Sequence, residues 1–378
     1  MFINKQDTQN KEYYEKMLTI MGSLSRLYSE SDEPYLDYRV AENLFCKSFS
    51  AENLSRGCTS ADASLNGIGF GIKTFGEKHG NTMEKVAEFN ASSSSFKDLG
   101  VEDLVQEIAR LRNERIETTM KIYALEQMMY HCVTRTKGKM HVIETPMHFI
   151  DTESIKIMSS NKTSISFKDK HEEYSFIFSK NTLFKRFIIK DVVTEVSIKI
   201  LEEPFDLLSG IMHSGISRVA ELAFSPIEHE LPHVFLPLYA TRSGEVGEGS
   251  GLNLWNAGGR KRDLDEAYIP VPAWIHKKFP NFFPDRETSF ELILPNKMTM
   301  SAKICQEGGK ALMSNPNLAL GKWILRDILN IPQGEVVTYK KLEDIGLDAV
   351  VIYKLSDNKY KIDFAKIGSY DEFEEQEN

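Results

Sequence analysis

The apolar positions of this chain change spacing several times, and each change predicts a different element. Over residues 11–30 and again over 36–49 they recur at helical intervals. In the second stretch Leu36, Val40, Leu44, Phe45 and Phe49 form a broad arc with Glu42 at its margin. Residues 67–75 then alternate, with Ile68, Phe70, Ile72 and Thr74 on one face of a strand and Gly67, Gly69, Gly71 and Lys73 on the other. A face dressed with glycine packs poorly and is expected to let a bulky anionic backbone come close. After a loop at 76–81, Met83, Val86, Ala87 and Phe89 predict a short helix, which the polar run 91–95 ends. Residues 101–129 read as one long helix, with Leu104, Ile108, Leu111, Ile116, Met120 and Tyr123 near a common face and a solvated charged side opposite.

Short alternating segments at 140–150, 155–158, 164–167, 174–178 and 193–201 predict strands of a sheet closing a first domain. The composition shifts between Pro204 and Pro226. Beyond it, strands are predicted at 234–239, 267–271, 290–294, 298–304, 336–339, 350–355 and 360–364, with one helix near 319–329. Strands this short between Pro and Gly turns suit a small barrel or pseudobarrel. The expected organisation is an α/β (α+β) domain at 1–205, a linker at 206–233, an all-β pseudobarrel at 234–366 and a solvated acidic tail at 367–378.

Composition narrows the class only a little. With 378 residues, 41% hydrophobic and 27% charged, two ordinary globular domains can each bury a core. No apolar run approaches the ~20 residues that span a bilayer, and the polar start shows no secretion signal. Cys46, Cys58, Cys132 and Cys305 are scattered without a C-x-x-C pair, which fits a reducing cytoplasm better than a disulfide or zinc framework. A net charge of −9 counts mildly against nucleic-acid binding. Part of it sits in the tail 371–377, however, and phosphate contacts depend on local charge.

The candidate chemistry centres on the glycine-bearing strand. Phosphodiester hydrolysis needs a metal ion to polarise the phosphoryl group and lower the pKa of an attacking water, with a cation to steady developing charge. Asp62 is expected to hold Mg²⁺, Lys73 to orient the water, and the Ile72 carbonyl to add a further oxygen ligand. Ordinary surface roles for Asp62 and Lys73 are the bland alternative. The glycines do not open a helix as G-x-G-x-x-G would, and Gly71-Ile72-Lys73-Thr74 departs from the G-K-[ST] of a phosphate loop. His229 and His233 are separated by Pro232, no H-E-x-x-H occurs, and no G-x-S-x-G elbow is present. Glu144 reads as a strand-edge carboxylate.

Ser60-Ala61-Asp62 followed by Gly71-Ile72-Lys73 resembles the PD-(D/E)xK nuclease superfamily, to which many type II restriction endonucleases belong. Gly71 occupies the place of the second carboxylate. The resemblance therefore implies a migrated acid, with Glu42 first, Glu88 second and Glu77 third.

A second resemblance spans about 235–365. Leu238-Tyr239, Ser243-Gly244-Glu245-Val246, Gly249-Ser250-Gly251-Leu252-Asn253, Arg260, 266–272 and Phe282-Phe283-Pro284 resemble the C-terminal recognition domain of the NgoFVII/BfiI restriction endonucleases, a pseudobarrel similar to the plant B-three domain. Asn253-Leu254-Trp255 departs from the Asn-Trp usual there. The H-x-K-x₄-D motifs of that group's own nuclease are missing from 1–205, so a swapped catalytic module is expected. The resemblance implies two arms gripping the major groove, 242–262 and 303–317. Arg242, Arg260, Arg262 and Lys303 suit guanine or phosphate; Ser243, Asn253, Asn256, Gln306 and Asn315 can make polar base contacts, the amides toward adenine. Glu245, Glu248 and Asp265 can accept from cytosine, while Trp255 and Trp274 suit core or contact equally and Trp323 is expected to pack inward.

Together these imply a type II restriction endonuclease, Mg²⁺-dependent, acting on double-stranded DNA in the cytoplasm. A homodimer and a cognate DNA methyltransferase would be its partners. The alternative is a non-catalytic DNA-binding regulator whose first domain dimerises.

Overall fold

The computed structural model describes residues 1–55, 59–77, 79–96, 99–213 and 231–377. Cys58, His229 and the 214–230 portion of the expected linker lie outside the described residues.

Helix α1 (Thr8–Ser23) starts where the Asp7 carboxylate accepts from the Asn10 N–H. It ends short of the expected residue 30, because Ser25 turns the chain by bonding Gly22 O and the Tyr35 N–H. Asp37 caps α2 (Tyr38–Phe49), which Ser50 stops with a left-handed φ of 55°. Strands β1 (Glu52–Asn53), β2 (Ala63–Leu65) and β3 (Ile68–Gly76) form an antiparallel meander.

The next segment corrects the expected short helix: β4 (Asn81–Glu88) is a strand in a second sheet. Its pairing with β10 along the full length outweighs a local pattern that suited either element. The polar break is a 3₁₀ turn, Ala91–Phe96. Helix α3 (Val101–Tyr123) is also shorter than expected. Ala124, at φ 51°, ends it, and residues read as its last turn begin β5 (Gln127–Thr136).

As the crossover, α3 returns the chain so that β5 lies parallel to β3. There follow β6 (Lys139–Pro146), β7 (Lys156–Ser160), β8 (Ser164–Lys168), β9 (Glu173–Ile177), β10 (Thr182–Ile188) and β11 (Thr194–Ser197). They do not close one sheet. The first sheet runs β1-β2-β3-β5-β6-β11 and the second β4-β10-β9-β8-β7. Helix α4 (Pro204–His213) occupies the start of the expected linker.

The C-terminal region contains β12 (His233–Pro237), β13 (Ile269–Pro270), β14 (Ser289–Ile293), β15 (Thr299–Cys305), β16 (Ala311–Ser314), β17 (Leu347–Ser356) and β18 (Lys359–Lys366). They form one seven-stranded sheet, β12-β17-β18-β14-β15-β16-β13, curled until its ends meet and nearly closed as a barrel. The region is not all-β. It carries α5 (Ala273–Lys278), a π-helical stretch Lys322–Ile328, α6 (Tyr339–Ile345) and α7 (Ser369–Glu377). The strand expected at 336–339 is replaced by the Thr338-capped start of α6. The acidic tail is not merely solvated: as α7 it buries Tyr370 and Phe373 against the barrel.

Phe70 and Ile72 pack with Tyr14, Phe45 and Phe49 on one side of the first sheet. The glycine face is the correction that matters most. A Cβ on Gly71 would meet Met147 Cε at 2.8 Å and Tyr130 Cδ1 at 3.0 Å; one on Gly69 would meet Leu125 Cδ1 at 2.7 Å. The glycines make room for neighbouring side chains to lie flat on the sheet, so this face is filled rather than open to a ligand.

Candidate functional site

The register of β2 against β3 ends with Ala63 opposite Phe70, and Asp62 sits in the bend just before it. Asp62 donates its N–H to Phe70 O at 2.7 Å, and its Oδ2 accepts the Ile72 N–H at 2.7 Å. One carboxylate oxygen and the backbone N–H of this aspartate are thus fixed by the adjoining strand. In an extended chain the N–H and C=O of one residue leave on the same side, so the Ile72 carbonyl points toward the Asp62 edge.

Glu42 reaches this edge from α2. It is buried and accepts from Arg39 Nη1 at 2.9 Å. Burial pushes its carboxyl above the ordinary range, and the charge of Asp62 pushes the same way. Asp62 is raised by burial too, against the pull of Lys73, the Ile72 N–H and Arg39. Asp62, Glu42, Lys73 and Arg39 therefore form one electrostatic cluster. Among the described residues no group of three or more His, Cys, Asp and Glu side chains is placed to hold a metal ion.

The other acids go elsewhere. Glu88 pairs with Lys85 at 2.9 Å and with Asn90. Glu77 meets His141 Nδ1 at 3.0 Å. Glu84 is the acid that sequence reading missed: burial raises its carboxyl, while Thr82 at 3.1 Å and the charge of Lys73 oppose the rise. Reading 83–89 as a helix hid it; strand alternation would have set Glu84 apart from Lys85.

Glu144 is not a strand-edge carboxylate. It lies on β6 between β5 and β11, is buried, and accepts the Ile3 N–H at 3.1 Å and meets His131 Nδ1 at 3.2 Å. His131 Nε2 lies 2.9 Å from the Tyr14 hydroxyl. This Glu–His–Tyr chain ties the chain start and α1 to the sheet, with every polar end used inside a dry core.

The expected DNA-reading residues divide. Arg242, Ser243 and Glu245 project from an exposed tight turn closed by the Ala240–Glu245 bridge, and Gln306 is exposed at φ 66°. Asn253 is a correction: fully buried, it donates to Gly247 O and Val337 O and accepts the Val337 N–H at 2.8 Å, pinning two loops together. Arg260 forks onto Glu266 at 3.0 and 2.6 Å. Arg262 clasps the Ala257 and Gly258 carbonyls. Lys303 pairs with Glu287 at 2.8 Å, Asn315 donates to Ser289 Oγ, and Asn256 to Glu248 O. Asp265 is held by Arg326 at 2.7 Å. Trp255 and Trp274 are half-buried against the core, and Trp323 packs inward. His233 stacks near Phe235, Tyr353 and Phe373.

Among the described residues no helix is long and apolar enough to cross a membrane. Comparison with curated proteins returns no match. The curled seven-stranded sheet and its exposed turn agree with the one family that does match: over residues 227–356 the chain is similar to the NgoFVII C-terminal B3-like DNA-binding domain, which supports double-stranded DNA as its partner.

Proposed function

We propose that the chain is a type II restriction endonuclease that hydrolyses double-stranded DNA with Mg²⁺ in residues 1–205 and reads sequence with the barrel. The observation that carries this is the cluster in which Asp62 bonds the Ile72 N–H, raises the neighbouring Glu42 and feels the charge of Lys73. An antiparallel meander followed by a crossover helix and a parallel strand supports it, since the PD-(D/E)xK resemblance implies such a core.

The donor set fits the ion. Asp62, Glu42 and the Ile72 carbonyl offer hard oxygens, which Mg²⁺ favours, and both carboxyls are raised by burial, Glu42 also by the charge of Asp62, so a cation would relieve them. Mg²⁺ bound there would supply Lewis acidity for the hydrolysis. The chain's own residues do the rest. Asp62 and Glu42 hold the site's negative charge, Arg39 fixes Glu42, and Lys73 orients a water and offsets developing charge. The reading carries a second copy or a second turnover for the other strand, a cognate DNA methyltransferase to protect host sites, and the cytoplasm, where the free Cys46, Cys132 and Cys305 stay reduced.

The test is digestion of several genomic DNAs by the purified chain with Mg²⁺. Asp62→Ala and Lys73→Ala are each expected to abolish cutting while leaving specific binding in place. Wild-type cutting by either variant refutes the assignment. The lack of a three-ligand cluster among the described residues favours a second reading, a sequence-specific DNA-binding regulator whose first region dimerises. Intact DNA at every Mg²⁺ concentration, with sequence-specific retention on a gel, would establish it.

A further inference from the structure

Helix α3 treats its arginines unequally. Arg110 is matched by Glu107, Glu114 and Asp344, each within 2.8 Å. Arg112 is only 4% exposed, yet it donates to neutral oxygens alone, Ser60 Oγ at 3.1 Å and the Tyr130 hydroxyl at 2.9 Å. Arg115, one turn on, donates to the Asp344 and Glu88 carbonyls at 3.1 and 2.5 Å and lies 4.5 Å over the Phe89 ring. Among the described residues neither Arg112 nor Arg115 has an ion-pair partner. The acids nearest Arg115 are engaged: Glu88 by Lys85, Glu114 by Arg110 and Lys341, Asp344 by Arg110 and Lys340. Burial and the charge of Arg112 push the Arg115 guanidinium down to about 10. Two sequestered like charges without a counter-ion are an expensive arrangement, and an arriving anion relieves it.

Both arginines line a cavity of about 810 Å³ between α3, β4 and the barrel, with Ser60, Thr119, Lys85 and Lys366 around it. Ser60 is two residues from Asp62. Lys366 also lines a neighbouring cavity of about 850 Å³, whose lining holds Arg39 and Lys361 together with Asp363 and Glu372. No aromatic side chain lines the first cavity, which leaves a nucleobase nothing to stack on. Lys85 and Lys366 are held only by exposed acids, Glu88 and Glu372, pairs that exchange readily.

We propose that this cleft between the two regions is a phosphate-binding channel for a DNA strand. Arg112 and Arg115 receive backbone phosphate, and Lys85 and Lys366 flank it. It rests on the reading of Asp62 as the reaction centre only for its purpose, not for its binding.

The experiment uses the full chain, EDTA and a mixed-sequence duplex lacking the recognised sequence, so that no cutting is needed. Affinity is measured over a salt series for wild type, Arg115→Gln/Lys366→Gln and Lys85→Gln/Lys366→Gln, with melting curves confirming fold. Each double variant is expected to flatten the slope of log affinity against log salt by about two and to lose roughly tenfold in affinity at low salt. Arg115→Lys, which keeps the charge, is expected to stay near wild type. The surface pair Lys85/Lys366 keeps the test decisive should the Arg115 variant fail to fold. An unchanged slope in a folded double variant overturns the proposal. So does stabilisation by AMP that the variants lose while DNA affinity stays constant, which would mark a mononucleotide pocket. Failure of the nuclease reading shows separately, as intact DNA at every Mg²⁺ concentration, and failure of its site as cutting that survives Asp62→Ala.

Discussion

The two halves of this molecule handle charge in opposite ways. Around α3 and β3, like charges are pressed together and partly dried: Glu42 against Asp62, Arg112 against Arg115. Around the barrel, candidate cations have been given carboxylates, Arg260 and Arg262 reaching Glu266 and Lys303 reaching Glu287. Like charges crowded together at a structural cost are where the proposed metal and phosphate sites lie. Charges paired at the surface are cheap to re-pair, which suits a face that must slide over many sequences before stopping at one.

The sharpest way to break this contrast is cutting. Asp62→Ala is expected to lower the cleavage rate by about a thousandfold or more and Lys73→Ala by at least about a hundredfold, read as product per minute on plasmid DNA. A similar loss from the paired barrel cation Lys303→Ala at saturating enzyme would erase the distinction. Next comes stability. His131→Ala strands Glu144 and Tyr14 in the core and is expected to cost about 3 kcal/mol, seen as a lower denaturant midpoint.

Within the barrel, Asn253→Ala and Arg242→Ala separate support from recognition. The first is expected to destabilise by about 2 kcal/mol through the freed Val337 N–H, while the second leaves the melting temperature unchanged and weakens DNA binding by about 1–2 kcal/mol.

The smallest effect lies at the join of the two halves. Asp363 accepts from the Tyr123 hydroxyl at 3.2 Å. Burial raises its carboxyl to about 6, with Lys361, the Phe364 N–H and Tyr123 opposing and Glu52 adding. The folded state binds this proton more tightly than the unfolded state. The resulting stabilisation is whole below the ordinary value near 3.8 and disappears as pH rises through about 6. Asp363→Asn is expected to remove that slope from melting temperatures taken between about pH 4 and 6.

How much of this could be read along the chain varied with the kind of signal. Ile68 to Phe75 declared a strand because period-two alternation is local. The filling of its glycine face by Leu125, Tyr130 and Met147 is not local, and glycine says only that something comes close, not what. Residues 83–89 and 124–129 misled because Met, Glu, Ala and Gln suit helices while β10 and β3 recruit those segments as strands. Asp62 could be nominated from its place before the glycine strand, and Glu42 only because the resemblance implied a migrated acid in place of the one missing at Gly71; the charge of Asp62 does reach Glu42. Asn253 could not be told from a base reader, because an amide that bridges two loops and one that bridges to adenine look alike until its surroundings are known. Tyr370 and Phe373 were lost among acids, although their spacing of three is a helical signature.

One apolar cluster runs unbroken from Ile116 and Tyr123 on α3 into Val234, Leu236 and Phe364 of the barrel. The barrel and the α3 side of the first region therefore share one interior. Heat or urea should accordingly dismantle the α3 region and the barrel together in a single step, so that neither outlasts the other.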